Sequence, residues 1–173
     1  MKIAIISDVH NNETNLKKVL NYCEKKKIKK IICCGDLASD ETLDFMADNF
    51  GGEIFYTFGN MDNEQLRESQ FVDVYKNVNL FKKFGELELV NKKIAFVHYP
   101  REAEGLARTG KYDFVFYGHT HKPWISHLDA TDDHGKCVLL NPGNVAGEIY
   151  LPTFATWNTK EDKFELIRVH DLK

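Results

Sequence analysis

Residues 3–36 read IAIISDVHNNETNLKKVLNYCEKKKIKKIICCGD, with two apolar runs flanking a segment of helical periodicity. The run Ile3–Ser7 predicts a buried strand, and Glu13–Lys26 carries apolar residues at helical spacing. Ile31–Cys34 predicts the next strand, and the alternation continues through a helix and a strand over Glu41–Asn49 and Ile54–Phe58. This succession of uninterrupted apolar strands and helices predicts a parallel sheet covered on both faces.

The remainder of the chain predicts mainly strands. A short helix is expected over Asn63–Ser69, and a longer one over Glu102–Arg108. Strands are expected in pairs around short turns: Glu86–Val90 with Lys93–Val97 around Asn91-Lys92, Trp124–Leu128 with Cys137–Leu140 around Thr131–Lys136, and Thr153–Asn158 with Lys163–Val169 around Thr159–Asp162. Phe114–Tyr117 is expected to be a further strand. The predicted fold class is therefore α/β, with two facing mixed β-sheets flanked by helices in a single domain over residues 1–173.

The composition is that of an ordinary globular domain. Of the 173 residues, 43% are hydrophobic and 28% are charged, which argues against disordered and membrane classes. No apolar run approaches the ~18 residues of a membrane-spanning helix. Because Ser7 and the charged Asp8 follow Ile3–Ile6, the first apolar run is also too short for a signal peptide. We expect a cytoplasmic protein without a membrane partner.

The net charge of −3 argues against a dedicated nucleic-acid surface, which is normally basic. The basic run Lys25–Lys30 closes the first predicted helix, where cations complement the helix dipole. The four cysteines show no C-x-x-C spacing, and Cys33 and Cys34 are interpreted as small core residues. The sequence leaves a homo-oligomer open.

Seven polar residues stand where apolar strands give way to loops, namely Asp8, His10, Asp36, Asn60, His98, His119 and His121. In open α/β sheets the carboxyl ends of the strands form the ligand crevice, so these side chains are expected to converge. Carboxylate, imidazole and amide donors suit divalent ions such as Mn²⁺, Fe²⁺, Co²⁺, Ni²⁺ or Zn²⁺. Each residue alone is more often a turn cap or a hydrogen-bonded core group, but the whole set favours metal binding.

The same residues form five motifs in a fixed order, Asp8-Val9-His10, Gly35-Asp36, Gly59-Asn60-Met61-Asp62, His98 and Gly118-His119-Thr120-His121. This order resembles the D-x-H, G-D, G-N-H-[DE], H and G-H-x-H motifs of calcineurin-like metallophosphoesterases. The short chain and the sequence GHTHKP at the last motif (residues 118–123) are most similar to the small YfcE-type phosphodiesterases. The resemblance extends from Met1 to about Asn144 and implies the metallophosphoesterase sandwich of two sheets.

The resemblance also implies two divalent metal ions, with Mn²⁺ favoured over Ni²⁺, Fe²⁺, Co²⁺ or Zn²⁺. One ion would be bound by Asp8, His10 and His121. The other would be bound by Asn60, His98 and His119, with Asp36 bridging the pair. A hydroxide between the ions would then attack the phosphorus of a small phosphodiester.

Met61 stands where the larger superfamily has a histidine that is assigned to protonate the leaving group. A thioether donates no proton, although small YfcE-like relatives also lack this histidine and often have cysteine there. Asp62 remains a candidate catalytic residue, but its spacing to Gln65 equally suits a helix capping box.

A second departure follows His98, where relatives usually continue with glycine and this chain has Tyr99-Pro100-Arg101. Arg101 is a candidate to bind a phosphate oxygen, or else an ordinary surface arginine. Relatives often carry Pro-Arg beyond the NPG turn, whereas this chain has Gly147-Glu148, so no substrate preference transfers. The other histidines, His127, His134 and His170, lie outside the motifs.

We therefore expect a dinuclear metal-dependent phosphodiesterase, an enzyme whose partner is a small phosphodiester substrate. One alternative is a phosphomonoesterase or nucleotidase. Another is a non-catalytic scaffold of the same fold, like the retromer subunit that has lost part of its ligand set. The complete set in this chain argues against the scaffold.

Overall fold

The computed structural model describes residues 1–63, 75–129 and 136–172. Six strands form the first sheet in the order β11-β10-β1-β2-β3-β4. Strands β1 to β4 run parallel to one another, and β10 and β11 pair antiparallel. Their bounds are Lys2–Ile6 (β1), Lys30–Cys33 (β2), Glu53–Thr57 (β3), Val78–Phe81 (β4), Thr153–Asn158 (β10) and Lys163–Arg168 (β11).

The second sheet has five strands in the order β5-β6-β7-β9-β8. It is also mixed, because β6, β7 and β9 are parallel while β5 and β8 pair antiparallel at its edges. Its strands are Gly85–Leu89 (β5), Lys92–Phe96 (β6), Phe114–Phe116 (β7), Trp124–Asp129 (β8) and Lys136–Asn141 (β9). The helices are Glu13–Lys25 (α1), Asp40–Asn49 (α2) and Pro100–Arg108 (α3), with a 3₁₀ turn at Val169–Asp171.

The two sheets face each other across a layer of apolar side chains. Ile5 and Ile32 of the first sheet share this layer with Phe96 and Phe116 of the second. On the outer face of the first sheet, alternate strand residues pack with helices α1 and α2, and on the outer face of the second sheet they pack with α3. The predicted fold class of two facing mixed sheets flanked by helices is confirmed.

Alternation within β2 explains why neighbouring cysteines separate. Cys33 packs in the core beneath α1 and α2, whereas Cys34 follows the strand and packs between the sheets. All four cysteines are free and buried. The interpretation of Cys33 and Cys34 as core residues is therefore confirmed.

Several predicted boundaries are wrong by a residue or two. The observed β1, β2 and β3 each end one residue before the predicted end, because the buried residues Ser7, Cys34 and Phe58 already leave the sheet ladder. The hairpin turn is formed by Val90 and Asn91, both at positive φ, and not by Asn91-Lys92. Helix α3 begins at Pro100, which needs no hydrogen bond for its nitrogen in a first helical turn.

Some predictions fall on residues that the structure does not describe. The helix expected over Asn63–Ser69 and the turn expected over Thr131–Lys136 lie almost wholly outside the described ranges, as does His134. Strand β4 was not predicted from the sequence. No helix among the described residues is long and apolar enough to cross a membrane.

Candidate metal centre

All seven predicted ligands are brought together where strands β1, β2, β3, β6 and β7 end. Asp8 and His10 follow β1, Asp36 follows β2 and Asn60 follows β3, while His98 follows β6 and His119 and His121 follow β7. Asp8 is 0% exposed, Asp36 1% and His98 0%, which are unusual values for polar side chains. The crevice therefore lies at the junction of the two sheets and is deeply buried at its floor.

Five of the seven residues adopt a positive φ that L-residues rarely take: Asp8 (54°), His10 (46°), Asp36 (57°), His119 (68°) and His121 (58°). Such backbone conformations persist only where the surrounding structure compensates for their cost, and they cluster at functional sites. The strand-end loops are thus bent specifically so that these side chains point into one crevice.

Two glycines allow the loops of the two sheets to approach each other. Gly35 has a φ of +101°, and a Cβ there would lie 2.6 Å from Nδ1 of His98. A Cβ on Gly118 would collide with Ser7 Oγ and lie 2.8 Å from Oδ2 of Asp8. Any larger side chain at either position would push the two halves of the crevice apart.

The first group of donors surrounds the carboxylate of Asp8. Nε2 of His121 lies 3.4 Å from Asp8 Oδ1, and Nε2 of His10 lies 3.8 Å from the same oxygen. Nε2 of His10 also lies 3.6 Å from Oδ2 of Asp36. One donor atom from each of Asp8, His10 and His121 falls within 4.8 Å of the others, a spacing that suits a single cation.

The second group of donors lies around Asp36 and is next to the first, because Asp8 is close to both. Nε2 of His98 is 3.2 Å from Asp36 Oδ2, and a donor atom of Asp8 lies within 4.8 Å of both. Oδ1 of Asn60 is 3.0 Å from Nε2 of His98 and 2.8 Å from Nδ1 of His119. Asp36 therefore stands between the two groups, within reach of His10 on one side and His98 on the other.

The outer nitrogen atoms of the imidazoles are held by oxygen atoms away from the crevice. Nδ1 of His98 lies 2.8 Å from the carbonyl oxygen of Cys34, and Nδ1 of His121 lies 3.3 Å from that of Glu148. The carboxylate of Glu148 lies 3.5 Å from Nδ1 of His10. Oxygen partners of this kind fix the ring orientation of metal-ligating histidines.

The environment of one buried nitrogen atom, Nε2 of His10, indicates whether a cation fits between these residues. Nε2 of His10 is buried and has no hydrogen-bond partner among the described residues, although it faces the carboxylates of Asp8 and Asp36. Buried polar atoms are normally hydrogen-bonded, so such an atom requires an explanation. A divalent ion among these donors would supply the missing partner, and the residues fit it.

The carboxylates and imidazoles shift one another's pKa values. Burial by itself raises the pKa of Asp8, but the imidazoles of His10 and His121 outweigh it and hold that pKa well below its usual range. In turn, Asp8 raises the pKa of His10 and His121. Burial lowers the pKa of His98, but Asp36 outweighs this effect and raises it. Protons and metal ions therefore compete for the same nitrogen atoms.

Asp62 is buried beside the crevice and turns its carboxylate toward the backbone. The oxygens accept hydrogen bonds from the amides of Gly59 (2.6 Å), Ala38 (2.8 Å) and Asp36 (3.1 Å). These bonds tie the loop that carries Asp36 to the loop that carries Asn60. Its predicted catalytic role stays a prediction, and the contacts favour a positioning role.

The other positions singled out from the sequence lie further out. The side chain of Met61 is 53% exposed, while its amide donates to Oδ1 of Asp36 at 2.8 Å. Arg101 is exposed on the first turn of α3, and the part of the chain that is described offers it no hydrogen bond or ion pair with the crevice. Its phosphate-binding role stays a prediction. His127 is exposed on the edge strand β8, apart from the seven residues.

Sequence reasoning missed the residues that support the last motif. Asn144 donates to the carbonyl oxygen of His121 at 3.2 Å and accepts from the amide of Glu148 at 3.0 Å. Asn141 donates to the carbonyl oxygen of Gly118 at 2.8 Å. Both asparagines belong to the NPGN motif at Asn141–Asn144, which was the sequence signal that could have identified them. Nothing in the sequence indicates that Glu148 lies beside His10.

Comparisons with known proteins agree with this geometry. The model of the calcineurin-like phosphoesterase superfamily domain matches residues 1–162. The phosphodiesterase MJ0936 of Methanocaldococcus jannaschii is 27% identical over 170 residues, covering 96% of this chain and 98% of that protein.

Two solved structures are similar over nearly their whole length. The structure of a novel archaeal phosphodiesterase has a TM-score of 0.83 at 28% identity, covering 97% of this chain and 99% of the other. The phosphoesterase YfcE from E. coli has a TM-score of 0.69 at 15% identity, covering 98% and 100%, and shares the fold. Since the family model spans most of the sequence, the chain belongs to the calcineurin-like phosphoesterase superfamily.

Proposed function

We propose that this protein is a dinuclear metal-dependent phosphodiesterase acting on small phosphodiesters. The observation that carries the proposal is the buried Nε2 of His10, which has no hydrogen-bond partner among the described residues and faces the carboxylates of Asp8 and Asp36 at 3.8 and 3.6 Å. Family membership supports the reaction class, and a relative named as a phosphodiesterase covers nearly the whole chain.

Two sets of residues would hold the ions. Asp8, His10 and His121 would bind one, and Asn60, His98 and His119 the other. Asp36 would contact both, because its Oδ2 lies 3.6 Å from Nε2 of His10 and 3.2 Å from Nε2 of His98. When bound, such a pair of ions lowers the pKa of a coordinated water to about 7 and stabilises charge on phosphoryl oxygens.

The charge of the crevice suits an anionic phosphate. The donors include two carboxylates, Asp8 and Asp36, and the remaining members of the set are imidazoles and an amide. Two divalent ions would therefore leave the crevice positive, and the negative charge of a phosphodiester would compensate for it. Buried charges of one sign are otherwise costly.

The residues around the third motif offer no evident proton for the leaving group. Met61 carries a thioether, and the carboxylate of Asp62 already accepts three backbone hydrogen bonds. The leaving oxygen would therefore depart without a proton from these side chains. Esters whose leaving groups are acidic would react fastest.

We further propose Mn²⁺ as the preferred ion and the cytoplasm as the location. Carboxylate and amide oxygens suit Mn²⁺, and imidazole also suits Fe²⁺, Ni²⁺ and Zn²⁺. Four free, buried cysteines fit a reducing compartment.

The test is a metal-reconstitution assay. Purified protein is stripped with a chelator, and Mn²⁺, Ni²⁺, Fe²⁺, Co²⁺ or Zn²⁺ is restored singly before rates are measured on an aryl diester and the matching aryl monoester. We expect the diester to react faster, with Mn²⁺ the best ion. Faster monoester hydrolysis would favour the phosphomonoesterase or nucleotidase, and inactivity with every ion would favour the non-catalytic scaffold.

A further inference from the structure

A cleft of about 620 Å³ opens directly beside the metal centre. It lies between helix α3 and the segments that follow β3 and precede β5, and aromatic side chains of Phe58, Phe84 and Tyr99 line it. Its volume falls within the range typical of small-molecule sites. We call this region the aromatic cleft.

The aromatic cleft is continuous with the candidate ligands. Gly59 lines it and precedes Asn60, while Tyr99 lines it and follows His98. The ring of Tyr99 also packs edge-on against the rings of His98 and His119, with both centroid distances at 5.1 Å. A group attached to a phosphate at the metal centre would reach the cleft directly.

The exposure of the lining side chains indicates which ligand would fit. Tyr99 is 37% exposed and Phe84 38%, so both rings present a free apolar surface, while Phe58 lies deeper at 8%. Aromatic rings prefer to pack against other rings, offset or edge to face. The cleft wall therefore suits a planar aromatic group.

Charged residues at the cleft add a second requirement. Lys82 and Lys83 both line it and are exposed, and the lining contains one carboxylate, that of Glu102. The lining thus carries an excess of positive charge. An aromatic group with a negative substituent would complement both the rings and the lysines.

We propose that the aromatic cleft binds one ester group of the substrate, and that this group is a planar aromatic ring carrying negative charge. The inference rests on the proposed phosphodiesterase function and assigns its substrate class. Binding energy from such a group, which does not itself react, would position the phosphate for hydrolysis.

Gly105 allows the cleft to be filled without disturbing the fold. It lines the cleft from helix α3, and a Cβ there would meet no atom within 4 Å. Leucine is also a better helix former than glycine. We therefore expect Gly105→Leu to fold and to occupy part of the cleft. Glu104→Leu adds the same apolar side chain to the neighbouring exposed position, outside the lining, and serves as the matched control.

The first experiment compares two diesters whose leaving alcohols are equally acidic, one phenolic and one a fluorinated alkyl alcohol. Matching the acidity removes the chemical advantage of aryl esters. We expect Gly105→Leu to lower the ratio of kcat/KM for aryl over alkyl diester by roughly tenfold, as burial of a ring is lost. Glu104→Leu should leave both rates unchanged. An unchanged ratio in Gly105→Leu would overturn the cleft assignment.

The second experiment tests the charge requirement. We expect the double variant Lys82→Gln/Lys83→Gln to weaken binding of a carboxyphenyl diester by roughly tenfold, while a plain phenyl diester is affected much less. The double variant Lys160→Gln/Lys163→Gln, which removes exposed lysines outside the cleft, is the control. Equal loss for both diesters, or no loss, would contradict the anionic substituent.

A binding measurement separates this proposal from the phosphodiesterase function. A (carboxybenzyl)methylphosphinate, in which carbon replaces both ester oxygens so that no bond can be hydrolysed, is titrated into the protein while amide signals of Gly105 and Tyr99 are followed by NMR. We expect both signals to shift and Gly105→Leu to weaken binding. Inactivity toward every diester would reject the proposed function alone, whereas absence of shifts at both amides would reject the cleft proposal alone.

Discussion

The six-stranded sheet and the five-stranded sheet meet at the same crevice but supply different donors to it. The first sheet contributes both carboxylates, the amide and one imidazole through Asp8, Asp36, Asn60 and His10. The second sheet contributes only imidazoles, from His98, His119 and His121. The carboxylates therefore lie on one side of the crevice, and imidazoles alone lie on the other.

This division shows that neither sheet forms the site alone. Within the first sheet, His10 is the imidazole that approaches the buried carboxylates of Asp8 and Asp36, and it compensates only partly for the cost of burying two like charges close together. Contacts across the junction compensate for part of this cost, because His98 contacts Asp36 and the amide of His119 donates to Asp8 at 3.1 Å. The fold must bring the sheets together before a cation can bind, so metal binding and sheet packing are expected to be coupled.

The largest effect is expected from Asp36→Asn, which breaks the carboxylate side of the comparison. The change keeps the shape but removes the charge that stands between the two donor groups. We expect metal content to fall and diesterase activity to drop to the level of chelator-treated protein, as measured by metal analysis and initial rates. His127→Ala, on the exposed edge of β8, is the control and should do far less. Near-normal metal content and rate in Asp36→Asn would reject the two-metal arrangement.

The next effect concerns Met61, on the loop of the first sheet. General acid catalysis typically contributes about 10²–10⁴-fold, and no acid is evident here. We expect the rate to fall steeply as the leaving-group pKa rises across a series of aryl and alkyl diesters. Met61→His should flatten that dependence.

A flat dependence in the unmodified protein, with chemistry shown to be rate-limiting, would mean that another residue acts as the acid. Asp62 would then be the first residue to replace and Arg101 the second.

Asp62→Asn tests how the first sheet holds its donors. Three backbone N–H groups now donate to the carboxylate of Asp62. The side-chain amide of asparagine has only one oxygen, so its NH₂ group would face one of these N–H groups and leave a buried donor without an acceptor. We expect about 1–3 kcal/mol of destabilisation and a metal affinity reduced by about 10–100-fold. Denaturant unfolding and calorimetric metal titration measure the two effects. An unchanged affinity with an altered pH–rate profile would instead support the catalytic role.

The smallest effect is expected on the free energy of unfolding, when alanine replaces a glycine at the sheet junction or a glycine with open space around it. Gly118→Ala forces a Cβ against Ser7 and Asp8, and we expect it to lower the free energy of unfolding by about 1–3 kcal/mol. Gly105→Ala meets open space in helix α3 and should raise that free energy by about 0.5–1 kcal/mol. Equal effects of the two changes on denaturant midpoints would show that the junction is not tightly packed.

Local patterns in the sequence were sufficient to predict the two-sheet fold and to predict that the seven residues lie close together. Apolar runs mark strands, and polar residues directly after parallel strands must lie at the same edge. The strand ends were predicted one residue too long, because Ser7, Cys34 and Phe58 are buried in loops and look like strand residues.

Other features depend on distances that sequence patterns do not contain. The residues next to Asp62 in the sequence suggest that it caps a helix. Its carboxylate instead accepts hydrogen bonds from backbone amides that include two lying 24 and 26 residues away in the chain. Glu148 lies far along the chain from His10, yet its carboxylate approaches that ring to 3.5 Å. The aromatic cleft joins three separate segments in the same way. Tertiary packing alone creates each of these contacts.

The central claim is that donors from both sheets hold two ions that act together. Its most direct test is a titration of stripped protein with Mn²⁺, in which bound metal per chain and diesterase rate are measured in parallel. We predict that binding saturates at two ions per chain and that most activity appears only with the second equivalent. Full activity with one bound ion, or in protein that binds none, would contradict the claim.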